Sequence, residues 1–124
     1  MDASDALAAF AALGQPTRLD AFRLLIEAGE AGLPAGEVAA RLAVRHNTLS
    51  SNLAILQQAR LVRSRREGRV IRYFADLDGL RRLLGFLLQD CCGGRPELCA
   101  PLIAQIACAG QSPASPPPPK DPRP

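Results

Sequence analysis

The chain has 124 residues and a net charge of +3, and its length suits one domain with a modest core. Its first residues lack the basic and apolar segments of a secretory signal, and no apolar run approaches the roughly 18 residues that a membrane span needs. These properties disfavour secreted and membrane-embedded classes. We expect a soluble, cytoplasmic protein that has no membrane partner.

The charge is distributed unevenly along the chain. Residues 1–39 carry six acidic side chains and two arginines, whereas residues 40–75 carry eight arginines and one acidic residue, a net charge of +7. An ordinary solvated face would mix more acids with these arginines. The basic stretch therefore favours a polyanion, such as nucleic acid, as the partner.

Apolar residues at helical spacing predict two helices at the start of the chain. The first spans Ala3–Leu13 and ends at Gly14, a residue type that favours helix C-termini. The second begins with Pro16, which suits the first helical position, and ends at Gly29. Its apolar side chains are expected to form one buried stripe: Leu19, Phe22, Leu25 and Ile26.

Two short helices joined by a tight turn follow, which is the arrangement of a helix-turn-helix. The third helix is predicted to start at Leu33-Pro34. A turn through residues 43–45 leads to a fourth helix over about His46–Gln58. The side chains expected to face the core are Val38, Ala39 and Leu42 of the third helix and Leu49, Leu53 and Leu56 of the fourth.

The pattern then changes to residues that favour strands. Residues 61–66 and 70–74 flank Glu67-Gly68-Arg69, which predicts a hairpin with glycine at its tip. A helix-turn-helix followed by a basic hairpin is a winged helix. We therefore predict a mainly α fold with a two-stranded β wing.

Asp76 or Asp78 is expected to cap a fifth helix. One side of this helix is too apolar for an exposed surface, which predicts burial against a second subunit. The side chains concerned are Leu77, Leu80, Leu84, Leu87 and Leu88. We therefore expect a homodimer formed through the first and last helices.

Three of the four cysteines fall within nine residues, at positions 91, 92 and 99. In a cytoplasmic protein, clustered thiols indicate soft-ion binding, redox sensing or catalysis rather than structural disulfides. A short apolar helix is predicted near residues 102–107, and residues 111–124 form a proline-rich tail that should be disordered. We therefore assign residues 1–110 to one domain for DNA binding, dimerisation and inducer binding.

Several segments of the chain resemble one protein family. Residues 12–19 (ALGQPTRL), 37–42 (EVAARL), 48–50 (TLS) and 61–69 (LVRSRREGR) resemble the ArsR/SmtB family of bacterial repressors, and the resemblance covers about residues 5–90. It implies a homodimeric winged helix that binds an inverted-repeat DNA operator without an inducer. It also implies release of the operator when a metal or metalloid binds.

Members of this family differ from one another in the residues that bind the inducer. The family's arsenic and cadmium site at the start of the third helix is matched here by Pro34–Glu37, which has no cysteine. A single histidine, His46, excludes the His and acid pairs that the family's zinc, nickel and cobalt sensors carry on the last helix. Cys91, Cys92 and Cys99 resemble instead the C-terminal site of arsenite-responsive members. The resemblance implies As(III), or Sb(III), as the inducer and no obligatory cofactor.

The chemistry of these residues fits that inducer but leaves alternatives open. Thiolates are soft ligands that select soft ions, and trivalent arsenic takes three sulfurs in a pyramid. Gly93-Gly94 would let the chain fold back to deliver the third sulfur, and Cys108 is interpreted as incidental. A disulfide from Cys99 to Cys91 or Cys92 keeps redox or persulfide sensing as an alternative. Another thiophilic ion and purely structural cysteines also remain.

The exposed side of the fourth helix carries short polar side chains that can approach base edges in the major groove. Asn47 suits adenine and Thr48 or Ser50 suits a phosphate or a base, whereas His46 either contacts a base or only starts the helix. The wing arginines suit phosphates or the minor groove. The predicted DNA-binding residues are His46, Asn47, Thr48, Ser50, Ser51, Arg63, Arg65, Arg66 and Arg69.

No nucleophile–base pair or phosphate-binding loop indicates catalysis, so we predict that the protein is not an enzyme. A thiol–disulfide enzyme or an arsenic carrier would use the cysteines, but it would leave the basic winged helix unexplained, and the chain has no Cys-x-x-Cys motif. A repressor whose cysteines are inert is the other alternative.

Overall fold

The computed structural model describes residues 1–88, which form five helices and one small antiparallel sheet. In chain order the elements are α1 (Ala3–Leu13), α2 (Pro16–Ala28), a 3₁₀ turn (Gly29–Ala31), β1 (Leu33–Pro34), α3 (Ala35–Leu42), α4 (His46–Gln58), β2 (Val62–Glu67), β3 (Val70–Ala75) and α5 (Leu77–Leu88). The predicted winged helix-turn-helix is confirmed. The cysteine segment, the apolar segment near residues 102–107 and the tail at residues 111–124 lie outside the described residues.

Side-chain caps define the starts of the first two helices. The backbone N–H of Asp5 donates to the Asp2 carboxylate and the backbone N–H of Asp2 donates to the Asp5 carboxylate, which forms a reciprocal capping box at α1. The Gln15 side chain accepts a hydrogen bond from the backbone N–H of Arg18 and caps α2, with Pro16 at the first helical position as predicted.

The core lies where α2, α3 and α4 meet under the sheet. Its fully buried side chains include Leu25, Val38, Leu49, Leu53, Leu56 and Leu61. The predicted stripe of α2 is only half correct, because Phe22 and Leu25 are buried whereas Leu19 and Ile26 are 41% and 39% exposed. Leu19 and Ile26 lie together on the adjoining flank of α2, and Ala21 takes the buried position instead.

The segment Leu33-Pro34 is a strand and not the start of α3. Leu33 pairs with Tyr73 and Pro34 pairs with Arg72, so the sheet has three strands in the order β1-β3-β2 rather than the two predicted for the wing. The physical reason is that a residue preceding proline favours extended backbone. Pro34 itself is extended (φ −66°, ψ 149°), and α3 begins only at Ala35.

β2 and β3 form the predicted hairpin, with Glu67 opposite Val70 and a two-residue turn at Gly68-Arg69. Gly68 has a φ of +66°, a backbone conformation that two-residue hairpin loops require and that glycine adopts without strain. At the base of the hairpin, Val62 is buried in the core and its partner Ala75 packs against the core, whereas Phe74 is buried on the opposite face of the sheet. The tip of the wing therefore extends from a fixed base.

The fifth helix begins at a close contact with the end of the helix-turn-helix. The Asp76 carboxylate accepts a hydrogen bond from the backbone N–H of Gly79, so Asp76 is the cap, while Asp78 pairs with Arg81. A Cβ atom on Gly79 would lie 1.8 Å from the backbone oxygen of Arg60, in the turn after α4. Only glycine allows α5 to start so close to this turn.

Candidate nucleic-acid interface

The candidate site is built on α4, the second helix of the helix-turn-helix. α3 ends at Leu42, the backbone of the following Ala43 is left-handed, and the chain turns and re-enters a helix at His46. Three leucines of α4 are completely buried, as predicted: Leu49, Leu53 and Leu56. Because these side chains anchor one side of α4, the opposite side is held towards solvent.

The structure places most of the predicted reading residues on that free side. His46, Asn47, Thr48 and Ser51 are exposed, and Ser50 is half-buried. Their short polar side chains project little from the helix and can donate and accept hydrogen bonds. Close approach to base edges in a groove requires both properties. The predicted arrangement of this helix is confirmed, while its contact with DNA remains a prediction.

The wing presents its arginines on two different faces. Antiparallel partners and residues two apart share a face of a sheet, so Arg63 and Arg65 lie on the face of Phe74. Their guanidinium carbons are each 4.9 Å from the centre of the Phe74 ring, within cation–π range. Arg66 lies on the other face together with Ser64, which accepts a hydrogen bond of 3.0 Å from the Gln57 side chain of α4.

Glu67 neutralises part of the wing's charge. Its carboxylate lies 2.6 Å from a nitrogen of Arg65 and 3.0 Å from a nitrogen of Arg72. The hydrogen bonds from Arg65 and then Arg72 lower the pKa of Glu67 below its usual value. Within residues 1–88, Arg66 and Arg69 take part in no ion pair, so their charges are the more available for an anion.

An open cleft of about 350 Å³ lies between the start of α3, the start of α4 and the tip of the wing. It brings together two residues predicted on α4, His46 and Ser50, with Arg69 of the wing. Tyr73 adds a phenol, and the remaining lining comprises Pro34, Ala35, Gly36, Val70 and Ile71. No acidic residue lines the cleft, so the helix and the wing meet at a surface that suits an anionic group.

One polar residue at this site was not predicted from the sequence. Asn52 of α4 is 8% exposed and is the one buried polar side chain among residues 1–88. It accepts a hydrogen bond of 2.9 Å from Arg18 of α2 and donates one of 3.0 Å to the backbone oxygen of Thr48. The sequence pattern indicates this contact only weakly, because Arg18 lies 34 positions from Asn52 and only the fold brings the two residues together.

The predicted metalloid ligands Cys91, Cys92 and Cys99, like Cys108, lie outside the described residues. Within residues 1–88, no group of three or more His, Cys, Asp or Glu side chains is arranged to hold a metal ion. In the same range the longest helices, α2 and α4, have 13 residues each and are too short to cross a membrane.

Comparisons with known proteins agree with this geometry. Residues 13–65 match a family model described as a helix-turn-helix domain. The chain is similar to the structure of an ArsR-like transcriptional regulator from Rhodococcus sp. RHA1, with 28% identity, a TM-score of 0.60, and coverage of 90% of this chain and 95% of that one. No protein in the curated set matches the chain.

Two further solved structures are similar to this chain. One is the homodimeric winged helix-turn-helix DNA-binding domain (residues 1–100) of Mb0332 from Mycobacterium bovis, a possible ArsR-family regulator, with 26% identity, a TM-score of 0.58, and coverage of 68% of this chain and 77% of that one.

HlyU from Vibrio cholerae N16961 shares the fold at 24% identity and a TM-score of 0.58, over 74% of this chain and 99% of that one. The chain therefore carries a helix-turn-helix domain in a winged-helix fold, and its similarity to ArsR-type structures supports the predicted ArsR/SmtB resemblance.

Proposed function

We propose that this protein is a DNA-binding transcriptional repressor of the ArsR/SmtB type, acting in the cytoplasm as a homodimer. The observation that carries the proposal is the cleft where His46 and Ser50 of α4 face Arg69 of the wing with no acidic neighbour in its lining. The similarity to an ArsR-like regulator and to a homodimeric DNA-binding domain supports it. The function needs no catalytic activity.

In this proposal α4 enters the major groove of the operator. Asn47, Thr48 and Ser51 read base edges from the exposed side of the helix, with His46 and Ser50 at the edge of the cleft. Arg66 and Arg69, which form no ion pair within residues 1–88, bind phosphates and position the protein on the duplex. Arg63 and Arg65, stacked near Phe74, support the outer face of the wing.

The second copy in the homodimer covers apolar surface on α1 and α5. α1 buries only alanines, Ala6, Ala9 and Ala12, and leaves Leu7 68% exposed. Three leucines of α5 are also exposed: Leu77, Leu84 and Leu87. Apolar surface of this extent is favourable to bury against a partner. A two-fold dimer of this kind implies an inverted-repeat operator.

The inducer is proposed to be As(III), or Sb(III), bound by the thiolates of Cys91, Cys92 and Cys99. The support is the sequence: three soft ligands that start three positions after the end of α5 at Leu88. Linkage requires the inducer to bind the DNA-free form more tightly, by the same factor as it weakens DNA binding. A coupling free energy of about 2–3 kcal/mol would change operator affinity about 30- to 150-fold.

Fluorescence anisotropy on the protein's own promoter DNA, under reducing conditions and with arsenite titrated in, tests the proposal. The wild type should release the DNA, and Cys91→Ser, Cys92→Ser and Cys99→Ser should each abolish that release while Cys108→Ser retains it. The three thiol protons leave with the three hydroxide groups of arsenous acid as water, so arsenite affinity should change little with pH below the usual thiol pKa of about 8.5.

The other outcomes are equally decisive. Absence of sequence-specific DNA binding by the reduced wild type would refute the repressor function itself. DNA binding that ignores arsenite but falls on oxidation or persulfide treatment would replace the metalloid switch with a redox switch. DNA binding that responds to neither treatment would indicate a repressor whose cysteines are inert.

A further inference from the structure

The side chain of Arg18 joins three helices. Arg18 lies in the first turn of α2, where Gln15 accepts a hydrogen bond of 2.8 Å from its backbone N–H. Its Nε donates to the backbone oxygen of Ala12 at 2.6 Å, and one terminal nitrogen donates to the Asn52 side chain of α4 at 2.9 Å. The second terminal nitrogen lies 3.5 Å from the backbone oxygen of Ala11. One guanidinium thus connects the end of α1 to the middle of α4.

Within residues 1–88, the backbone oxygen of Ala12 and the side-chain oxygen of Asn52 accept hydrogen bonds from Arg18 alone, whereas the backbone oxygen of Ala11 also accepts one from Gly14 at 3.1 Å. The last carbonyl groups of a helix have no hydrogen-bond donor within the helix, and Ala11 and Ala12 belong to the last turn of α1. At the other end, Asn52 is 92% buried, so its amide oxygen depends on the donor that Arg18 supplies. The connection therefore satisfies groups that would be costly to leave unpaired.

A second hydrogen bond of Asn52 extends this connection to the exposed side of α4, which is proposed to face DNA. Its amide nitrogen donates to the backbone oxygen of Thr48, one turn earlier in α4, at 3.0 Å. Thr48 and its neighbour Asn47 are exposed on the side proposed to face DNA. Packing of Leu49, Leu53 and Leu56 holds α4 in the core, but apolar contacts tolerate small rotations that directional hydrogen bonds do not.

We propose that Arg18 is a positioning residue, which fixes the rotation of α4 relative to α1 and thereby sets sequence discrimination without contacting DNA. This inference rests on the proposed function, since α1 belongs to the proposed dimer interface and α4 to the proposed reading surface. Because α1 would be held by the partner copy, the Arg18–Asn52 hydrogen bond sets the orientation in which each subunit presents α4 to its half-site.

Arg18→Gln and Asn52→Ala test the inference, with Arg23→Gln as the matched control. Arg23 is an exposed arginine of the same helix, so its replacement removes the same charge without breaking the connection. Affinities for promoter DNA and for unrelated DNA are measured well below each variant's melting temperature. We expect Arg18→Gln and Asn52→Ala to lose about tenfold or more in promoter affinity and less than threefold on unrelated DNA. Arg23→Gln should leave the ratio of the two affinities unchanged.

A double variant separates positioning from mere stability. Arg18→Met with Asn52→Leu replaces the polar pair by apolar side chains of similar size, a change that often preserves folding stability. Recovery of the melting temperature without recovery of the affinity ratio would support positioning. Recovery of both, or an unchanged ratio in all variants, would overturn it. Failure of the wild type to prefer promoter DNA would instead refute the proposed function on which the inference rests.

Discussion

The helices α4 and α5 have similar lengths, 13 and 12 residues, but the single subunit satisfies their apolar sides to different degrees. α4 buries Leu49, Leu53 and Leu56 completely, and most of its other side is polar. α5 buries Leu83 almost completely but leaves Leu84 and Leu87 42% and 53% exposed. The apolar side of α4 is thus buried within one chain, whereas α5 has apolar side chains that remain exposed to solvent.

This difference indicates different partners for the two helices. Burial of apolar surface contributes about 25 cal/mol per Å², so the exposed leucines of α5 favour another apolar surface. The free side of α4 carries hydroxyl, amide and imidazole groups, which favour a polar partner with many hydrogen-bonding groups. The proposed homodimer meets the first requirement and the proposed operator DNA meets the second. Substitutions at each helix can therefore test the two partners separately.

The largest effect on stability is expected from a substitution that forces α5 away from the turn after α4. Gly79→Ala would place a methyl group 1.8 Å from the backbone oxygen of Arg60, and a backbone atom cannot move aside cheaply. We expect a loss of about 3 kcal/mol in the free energy of unfolding, measured by urea denaturation.

Gly85→Ala is the matched control for that substitution, in the same helix. A Cβ at Gly85 meets no heavy atom within 4 Å, so this change should be neutral or stabilise the helix by about 0.5–1 kcal/mol. Equal stabilities of the two variants would mean that α5 does not start against this turn.

The next largest effect concerns the apolar side of α5. Leu84→Glu should weaken self-association roughly 100-fold, because dimerisation would bury an unpaired carboxylate, and analytical ultracentrifugation measures the change. Ile55→Glu is the control on α4, since Ile55 is 40% exposed and Leu84 is 42% exposed. Dissociation caused by both variants, or by neither, would remove the distinction between the helices.

A smaller effect is expected at the wing, beside α4. Arg69→Ala should weaken binding to all DNA sequences about tenfold and reduce the slope of log affinity against log salt by about one, because one phosphate contact is lost. Arg41→Ala removes the same charge from an arginine that lies 2.5 Å from Glu37, and it should change the slope less. A change in base preference with Arg69→Ala would show that this residue reads sequence and does not only bind phosphate.

The smallest effect is expected at Glu67, whose pKa is lowered by Arg65 and Arg72. A carboxylate with a lowered folded-state pKa stabilises the fold above its unfolded pKa, and this contribution is lost as pH falls through the folded value. Glu67→Gln should remove the contribution at neutral pH and steepen the salt dependence of DNA binding. The difference in melting temperature between wild type and Glu67→Gln should shrink on acidification below the ordinary glutamate pKa of 4.5; a pH-independent difference would contradict the role of this charge.

Several parts of the fold and site were predictable because they depend on local pattern. The bounds of α4 and its three buried leucines follow from helical spacing, and the hairpin follows from strand-forming runs around Gly68. β1 was missed because two residues carry no periodicity and form a strand only by pairing with β3. Asn52 was missed because a polar side chain in a helix is ordinarily exposed, and its burial depends on Arg18.

The sequence by itself determined the order of the five helices and the hairpin, the position of the wing and the polar character of the free side of α4, since each depends on near neighbours in the chain. Tertiary structure decided which apolar residues of α1, α2 and α5 remain exposed, and how Arg18 reaches Asn52. These outcomes depend on distances between segments far apart in sequence, and periodicity contains no information about such distances.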